Sequence, residues 1–251
     1  MKHLHITCFM ALLFMMACSE QARQLPVPVA SAAAEGDSTI YGLACEGTSD
    51  SILVYLRQPY TGADPDTIGI VEAMLRNQVF GSVRAGDQVA ILPKAADSTV
   101  ADIVIVTEQL LGTWCYRVQP TLRRRHGQEG MSQQQIAAML TDSVRELLQI
   151  EREYGFTLKK DSVAFPVWVQ KRISSLAEDD SPVEYPPTQI YRQWYIRNGQ
   201  VLLIQQRTDS VGNVKTTSVD TAQLITLTPD TLVLRFAGGE RGFYRKDSSD
   251  E

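Results

Sequence analysis

Histidine and thiol are what this chain has least of. Two of its three histidines, His3 and His5, and two of its four cysteines, Cys8 and Cys18, lie within the first eighteen residues. His126 is the one imidazole beyond them, and Cys45 and Cys115 are the one remaining pair of thiols. So few ligands argue against a multi-histidine zinc site and against a Ser-His-Asp centre. No metal or cofactor is expected, while chemistry between carboxylates stays open. An excess of positive charge is missing too. Without residues 1–17 the chain carries 23 basic against 29 acidic residues, a net charge of −6, and a nucleic-acid partner normally requires a basic face. Cys45 and Cys115 could form one disulfide in an oxidising compartment, or remain two separately buried thiols, and the second reading is the simpler.

The start of the chain is an export signal by its pattern. Lys2 precedes the apolar run Ile6 to Met16, which is too short for a membrane span of about 20 residues. Phe14-Met15-Met16-Ala17-Cys18 resembles a bacterial lipoprotein box, with Met15 where leucine is commoner. The resemblance implies cleavage after residue 17 and acylation of Cys18, with palmitate among its acyl groups. It implies a lipoprotein held at the outer membrane by a lipid anchor, facing either the periplasm or the cell surface. Residues 18–37, rich in Ala, Pro, Ser and Gln, read as a flexible tether with a reach of about 25 Å.

Beyond the tether the chain is β-rich. Over 38–108, runs at Ile40–Cys45, Ile52–Leu56, Thr67–Glu72, Val89–Leu92 and Val100–Val106 alternate with turn signals such as Gly47-Thr48-Ser49-Asp50. Five short strands predict a small barrel or sandwich. The stretch Phe80 to Leu92, where Gly86-Asp87 leads into a strand, resembles OB-like barrels. Arg57, Arg76, Arg84 and Lys94 are too few cations for a nucleic-acid surface, so a structural or interaction role is expected for this unit.

Over 109–246 eight further runs are predicted, at Leu110–Val118, Phe156–Lys159, Val163–Gln170, Ile190–Arg197, Gln200–Gln206, Thr216–Leu227, Thr231–Phe236 and Arg241–Arg245. Asn198-Gly199 is the strongest hairpin signal among their connections. Eight antiparallel strands in succession suit an up-and-down barrel. A helix is expected to interrupt it over about 132–154. Ser132 and Gln135 make its capping box, and Ile136, Leu140, Val144, Leu147, Leu148 and Ile150 its apolar stripe. Such a helix would cover the barrel as a fixed plug or, alternatively, a lid. Arg123-Arg124-Arg125 and Glu178-Asp179-Asp180 read as solvated loop charges, and 247–251 as a disordered tail.

Leu111-Gly112-Thr113-Trp114, Gly155 to Asp161, Trp194 with Asn198 to Leu203, Ile225 to Leu234 and Tyr244-Arg245, taken in order, resemble the bacterial lipocalin-like lipoprotein domain. The resemblance implies a structural signature of Gly112, Trp114 and Arg245, with the arginine stacked on the indole at the barrel base. Strand alternation puts Ile190, Arg192, Trp194 and Ile196 on one face, and Leu232, Leu234 and Phe236 on another. These are the candidate ligand-lining residues, with Arg192 as a carboxylate anchor, unless side chains fill the interior. The expected function is therefore a non-catalytic envelope protein that binds a small hydrophobic ligand or a protein partner. The alternatives are a scaffold or adhesion lipoprotein without ligand and, third, a glycan hydrolase with two opposed carboxylates.

Overall fold

The structure is a computed structural model, described over residues 36–123, 130–132, 135, 138–167 and 181–246. The first unit comprises β1 (Ile40–Ala44), β2 (Ile52–Arg57), β3 (Asp66–Gly69), α1 (Val71–Leu75), β4 (Val79–Phe80), β5 (Gln88–Lys94) and β6 (Asp97–Val106). Five of these strands bond in the order β3-β2-β1-β5-β6, and a parallel bridge between Gly69 and Val100 joins β6 back to β3, closing a barrel. The strand expected to run through Glu72 stops at Gly69. From Val71 the chain turns helical, and Ala73 on that turn is buried.

β5 and β6 are apolar on both faces. Val89, Ile91, Val104 and Val106 point into their own barrel with Leu53, Tyr55 and Ile68. The alternate residues Ala90 and Ile105 point outward and, with Phe80, belong to the core of the second unit. This accounts for the unbroken runs Val89-Ala90-Ile91-Leu92 and Ile103-Val104-Ile105-Val106, since a strand buried on both sides has no polar face.

The second unit begins after a single helical turn, α2 (Thr107–Leu110), with β7 (Gly112–Val118). Next come β8 (Thr121–Leu122), α3 (Asp142–Leu147), β9 (Arg152–Leu158), β10 (Ala164–Pro166), β11 (Val183–Glu184), β12 (Tyr191–Arg197), β13 (Gln200–Thr208), β14 (Val214–Leu227), β15 (Thr231–Phe236) and β16 (Gly239–Lys246). Eight of them form one antiparallel sheet in the order β10-β9-β7-β16-β15-β14-β13-β12. First and last strands lie side by side, with Trp114 opposite Arg245. The remaining gap between β10 and β12 is bridged by Val163 and Gln193 and by Trp194 N–H, which donates to Ser162 O at 3.0 Å. The barrel is all but closed, with β8 and β11 paired apart from it.

The inserted helix is shorter than its pattern predicts. The capping box forms, Ser132 N–H donating to Gln135 Oε1 at 2.9 Å and Gln135 N–H to Ser132 Oγ at 3.3 Å. Yet α3 covers only Asp142–Leu147 and buries no residue, Ile150 is 53% exposed, and residues 152–154 belong to β9. Pairing with β7 wins there, because it buries Tyr154 against Tyr116. Neither plug nor lid describes α3, since none of its side chains enters the core. Ile136 lies outside the described residues.

The strands alternate in direction, so the β12–β13 turn, the β14–β15 turn and the start of β7 share one end of the barrel, its base. The first unit packs there. Asn198 Oδ1 accepts from Ser38 N–H at 2.8 Å, and Asn198 N–H donates to Thr39 Oγ1 at 2.7 Å. Gly199, at φ +71°, leaves no room for a Cβ, which would lie 2.6 Å from Ile103 Cδ1. Tyr41 O–H donates to Ile196 O across the same seam.

Ile105 lies in the first barrel but packs in the core of the second. Ile105→Ala should therefore cost about 2–5 kcal/mol and lower the midpoint reported by tryptophan fluorescence together with that of far-ultraviolet dichroism. Separate transitions, with the tryptophan signal unmoved, would contradict the shared core.

Candidate functional site

Base and mouth of the second barrel are built differently. At the base, the Arg245 guanidinium stacks 4.1 Å from the Trp114 ring, which is fully buried. Its Nη1 donates to Leu111 O at 2.6 Å and its Nη2 to Gln109 O at 2.7 Å, while Nε donates to Pro229 O. Trp114 Nε1 donates to Leu110 O at 2.8 Å. Arg245 thus satisfies carbonyls that the one-turn helix α2 leaves without intrahelical partners. Gly112 makes this approach possible, at φ +123° and with a Cβ position only 2.3 Å from Arg245 Nη1. Gln109 extends the clamp to the first barrel, donating to Ser82 O at 2.8 Å and accepting from Ser82 N–H at 3.1 Å.

The interior is filled. Trp114, Phe156, Leu158, Trp194, Ile196, Val201, Leu203, Leu224, Leu232, Leu234 and Phe243 form one core, none of them more than 7% exposed. Of the candidate ligand-lining residues, Trp194, Ile196, Leu232 and Leu234 lie in that core, and Phe236 packs against it half-buried. Ile190 is half-buried outside β12, and Arg192 is exposed. The expected face through Ile190 and Arg192 fails because the register slips between Tyr191 and Gln193, so Tyr191 turns inward instead. Arg192 therefore anchors nothing inside the barrel.

At the mouth the core gives way to an aromatic and cationic rim. Tyr116 meets Phe243 and Tyr154 edge to face, and Phe156 meets Tyr191 likewise. Arg241 lies 4.6 Å over the Tyr116 ring and donates to its hydroxyl at 3.2 Å. Arg152 lies 3.8 Å over Tyr185. A recess of about 20 Å³ remains between Tyr116, Phe156, Gln189, Tyr191, Phe236 and Arg241, room for roughly one water. An open groove of about 600 Å³ runs beside it along Tyr116, Arg117, Glu240, Arg241, Gly242 and Tyr244. Of this rim sequence reasoning singled out only Phe236, because the other residues come from β7, β9, β12, β16 and the loop before β12 and no spacing links them.

The titratable groups of this end are held by their neighbours. Tyr191 donates to Asp220 Oδ2 at 2.6 Å, and burial, then that bond, pushes its hydroxyl upward. Glu153 accepts from Lys246 at 2.7 Å and Tyr244 at 2.6 Å, and the lysine first, then the tyrosine, hold its carboxyl below the ordinary range. Among the described residues no three His, Cys, Asp or Glu side chains gather as a metal site. Cys45 and Cys115 are both free thiols. Cys18, Arg124, Arg125, His126, Glu178, Asp179 and Asp180 lie outside the described residues.

Arg245→Ala should destabilise the fold by about 3 kcal/mol, and Arg245→Lys should recover little of it, because an ammonium cannot lie flat on the indole and reach both carbonyls. Urea titration of the three proteins checks this, and a lysine variant as stable as the parent would contradict it. Cys115 is buried, which pushes its thiol up to about 11, with Glu153 adding to the effect. A thiol reagent at neutral pH should therefore modify half-buried Cys45 in the folded chain and Cys115 only on unfolding. Equal labelling rates would contradict that environment.

No family model and no curated protein matches this chain. Among solved structures it is similar to a lipocalin-like protein from Bacteroides thetaiotaomicron VPI-5482, with 18% identity over 55% of this chain and 97% of that one and a TM-score of 0.28.

Proposed function

We propose that this chain is an exported, lipid-anchored envelope protein without catalytic activity, whose second barrel binds a protein partner at its mouth. The observation that carries the reading is the contrast between a filled interior and a rim of tyrosine and arginine. Side chains occupy the space that an enclosed hydrophobic ligand would need, leaving a recess of about 20 Å³. Tyrosine and arginine are the residues that most often dominate the energy of protein interfaces, and Tyr116, Tyr185, Arg152 and Arg241 display them around the mouth. The anchor rests on the lipoprotein-box pattern ending at Cys18, which would hold the protein at the outer membrane through an acyl-modified cysteine.

A photo-crosslinking residue placed at Tyr116 in cells should yield a discrete protein adduct, and one at Asp64, on an exposed loop of the first barrel, should not. Equal adducts at both positions, or a hydrophobic molecule released in stoichiometric amount on native mass spectrometry of the purified protein, would overturn the reading. Cys18→Ser should abolish palmitate incorporation and membrane retention, and retention unchanged would remove the anchor.

A further inference from the structure

β13 and β14 outrun the rest of the barrel. Their ladder continues to Thr208 opposite Val214, whereas β15 pairs with β14 only from Gln223 onward and β12 reaches β13 only as far as Gln205. Residues 214–222 of β14 therefore have a strand partner on one side alone among the described residues. The last two rungs, 207–208 with 214–215, stand clear of both neighbouring strands as a two-stranded arm above the mouth, while Gln206 Nε2 still donates to Gln193 Oε1 of β12 at 2.9 Å. Its tip is closed by Asp209, whose carboxylate accepts from Val211 N–H at 3.0 Å and Asn213 N–H at 2.8 Å and is thereby engaged within the turn.

The arm carries an unfavourable pair. Arg207 stands directly opposite Lys215, both exposed. Like charges facing each other across a ladder destabilise it. Continuing the register from the core residues Leu203 and Ala222 places both cations on the face that extends the inner wall of the barrel, above Asp220 and Tyr191. Elsewhere the exposed cations commonly have a carboxylate beside them, as in Arg57–Asp66, Arg76–Asp102, Lys94–Glu72, Arg117–Glu151 and Arg235–Glu240. Among the described residues Arg207, Lys215 and, on the rim, Arg241 form no such ion pair. Three cations outside any ion pair thus border one mouth, in a chain whose net charge is negative.

Resting on the proposal that the mouth binds a protein, we infer that the arm receives an acidic, extended polypeptide segment of that partner. Its carboxylates meet Arg207 and Lys215, and its backbone lies along the free edge of β14. The edge argues for polypeptide over lipid, because the unpaired N–H and C=O groups of 214–222 need hydrogen-bonding partners that a hydrocarbon layer cannot supply. The cations argue for acid. Lys215, together with the bulge at Thr217 where the register slips, keeps the edge from pairing indiscriminately with another copy of the chain.

The probe is fluorescently labelled poly-L-glutamate, titrated by anisotropy against the full mature chain carrying Cys18→Ser. The parent should bind it at low salt and release it as salt rises. Arg207→Gln with Lys215→Gln should weaken binding roughly tenfold, the sum expected for two exposed charge contacts. Arg57→Gln with Arg76→Gln, the same change of net charge on the first barrel, should leave it unaltered. Both substituted pairs are exposed, and circular dichroism checks that the fold persists. Absence of binding by the parent, equal losses in the two double variants, or preference for phosphatidylglycerol vesicles over poly-glutamate would overturn the inference. If poly-glutamate fails while the Tyr116 adduct persists, only the acidic segment falls; if it binds while the adduct is missing, the proposal for the mouth falls instead.

Discussion

The apolar seam between the two barrels is the constraint on which the rest depends. Ala90 and Ile105 leave the first barrel on the outer faces of β5 and β6 and enter the same core as Trp114 and Trp194. Neither barrel has a complete apolar boundary alone. The seam stabilises by about 25 cal/mol per Å² of apolar surface removed from water, and the polar contacts around it fix the angle of approach. Asn198 and Ile196 at the β12–β13 turn, bonded to Thr39 and Tyr41, and Gln109, bonded to Ser82, supply those contacts from two separate places, so the barrels are held against rotation as well as separation.

The seam also covers one end of the second barrel. Its base is occupied by the first barrel and locked by Arg245 over Trp114. Its middle is filled with aromatic and branched side chains. At the other end, the mouth, the Tyr116 hydroxyl and the Arg241 guanidinium meet at the rim, Tyr191 is tied inward to Asp220, and the β13–β14 arm rises beside them. A barrel wide enough for a small ligand is here packed with its own side chains.

Much of this architecture was legible from residue order. The eight runs of the second unit correspond to its eight wall strands, because alternation and the Asn198-Gly199 turn are local signals. The Trp114–Arg245 contact came from a resemblance rather than from spacing, since 131 positions separate two residues that only barrel closure brings together. Single-residue register shifts left no trace. The slip at Arg192 moved it outside and brought Tyr191 in, reversing the face that strict alternation assigned. The helix failed for a different reason: the expected stripe from Ile136 to Ile150 buries none of its residues within α3 and leaves Ile150 exposed, while 152–154 pair with β7 as strand and bury Tyr154 against Tyr116. The double-sided burial of β5 and β6 was visible as unbroken apolar runs, but its second partner was not. The facing of Arg207 and Lys215 exists only once the ladder is known.

The filled interior is open to one direct measurement, titration of the purified chain without residues 1–17 with cis-parinaric acid, an apolar fluorophore that would accept energy from tryptophan inside the barrel. A packed barrel predicts no saturable binding and unchanged tryptophan emission. Saturable one-to-one binding, with energy transfer from tryptophan, would reveal an enclosed site in the space assigned to side chains and would contradict the packed interior.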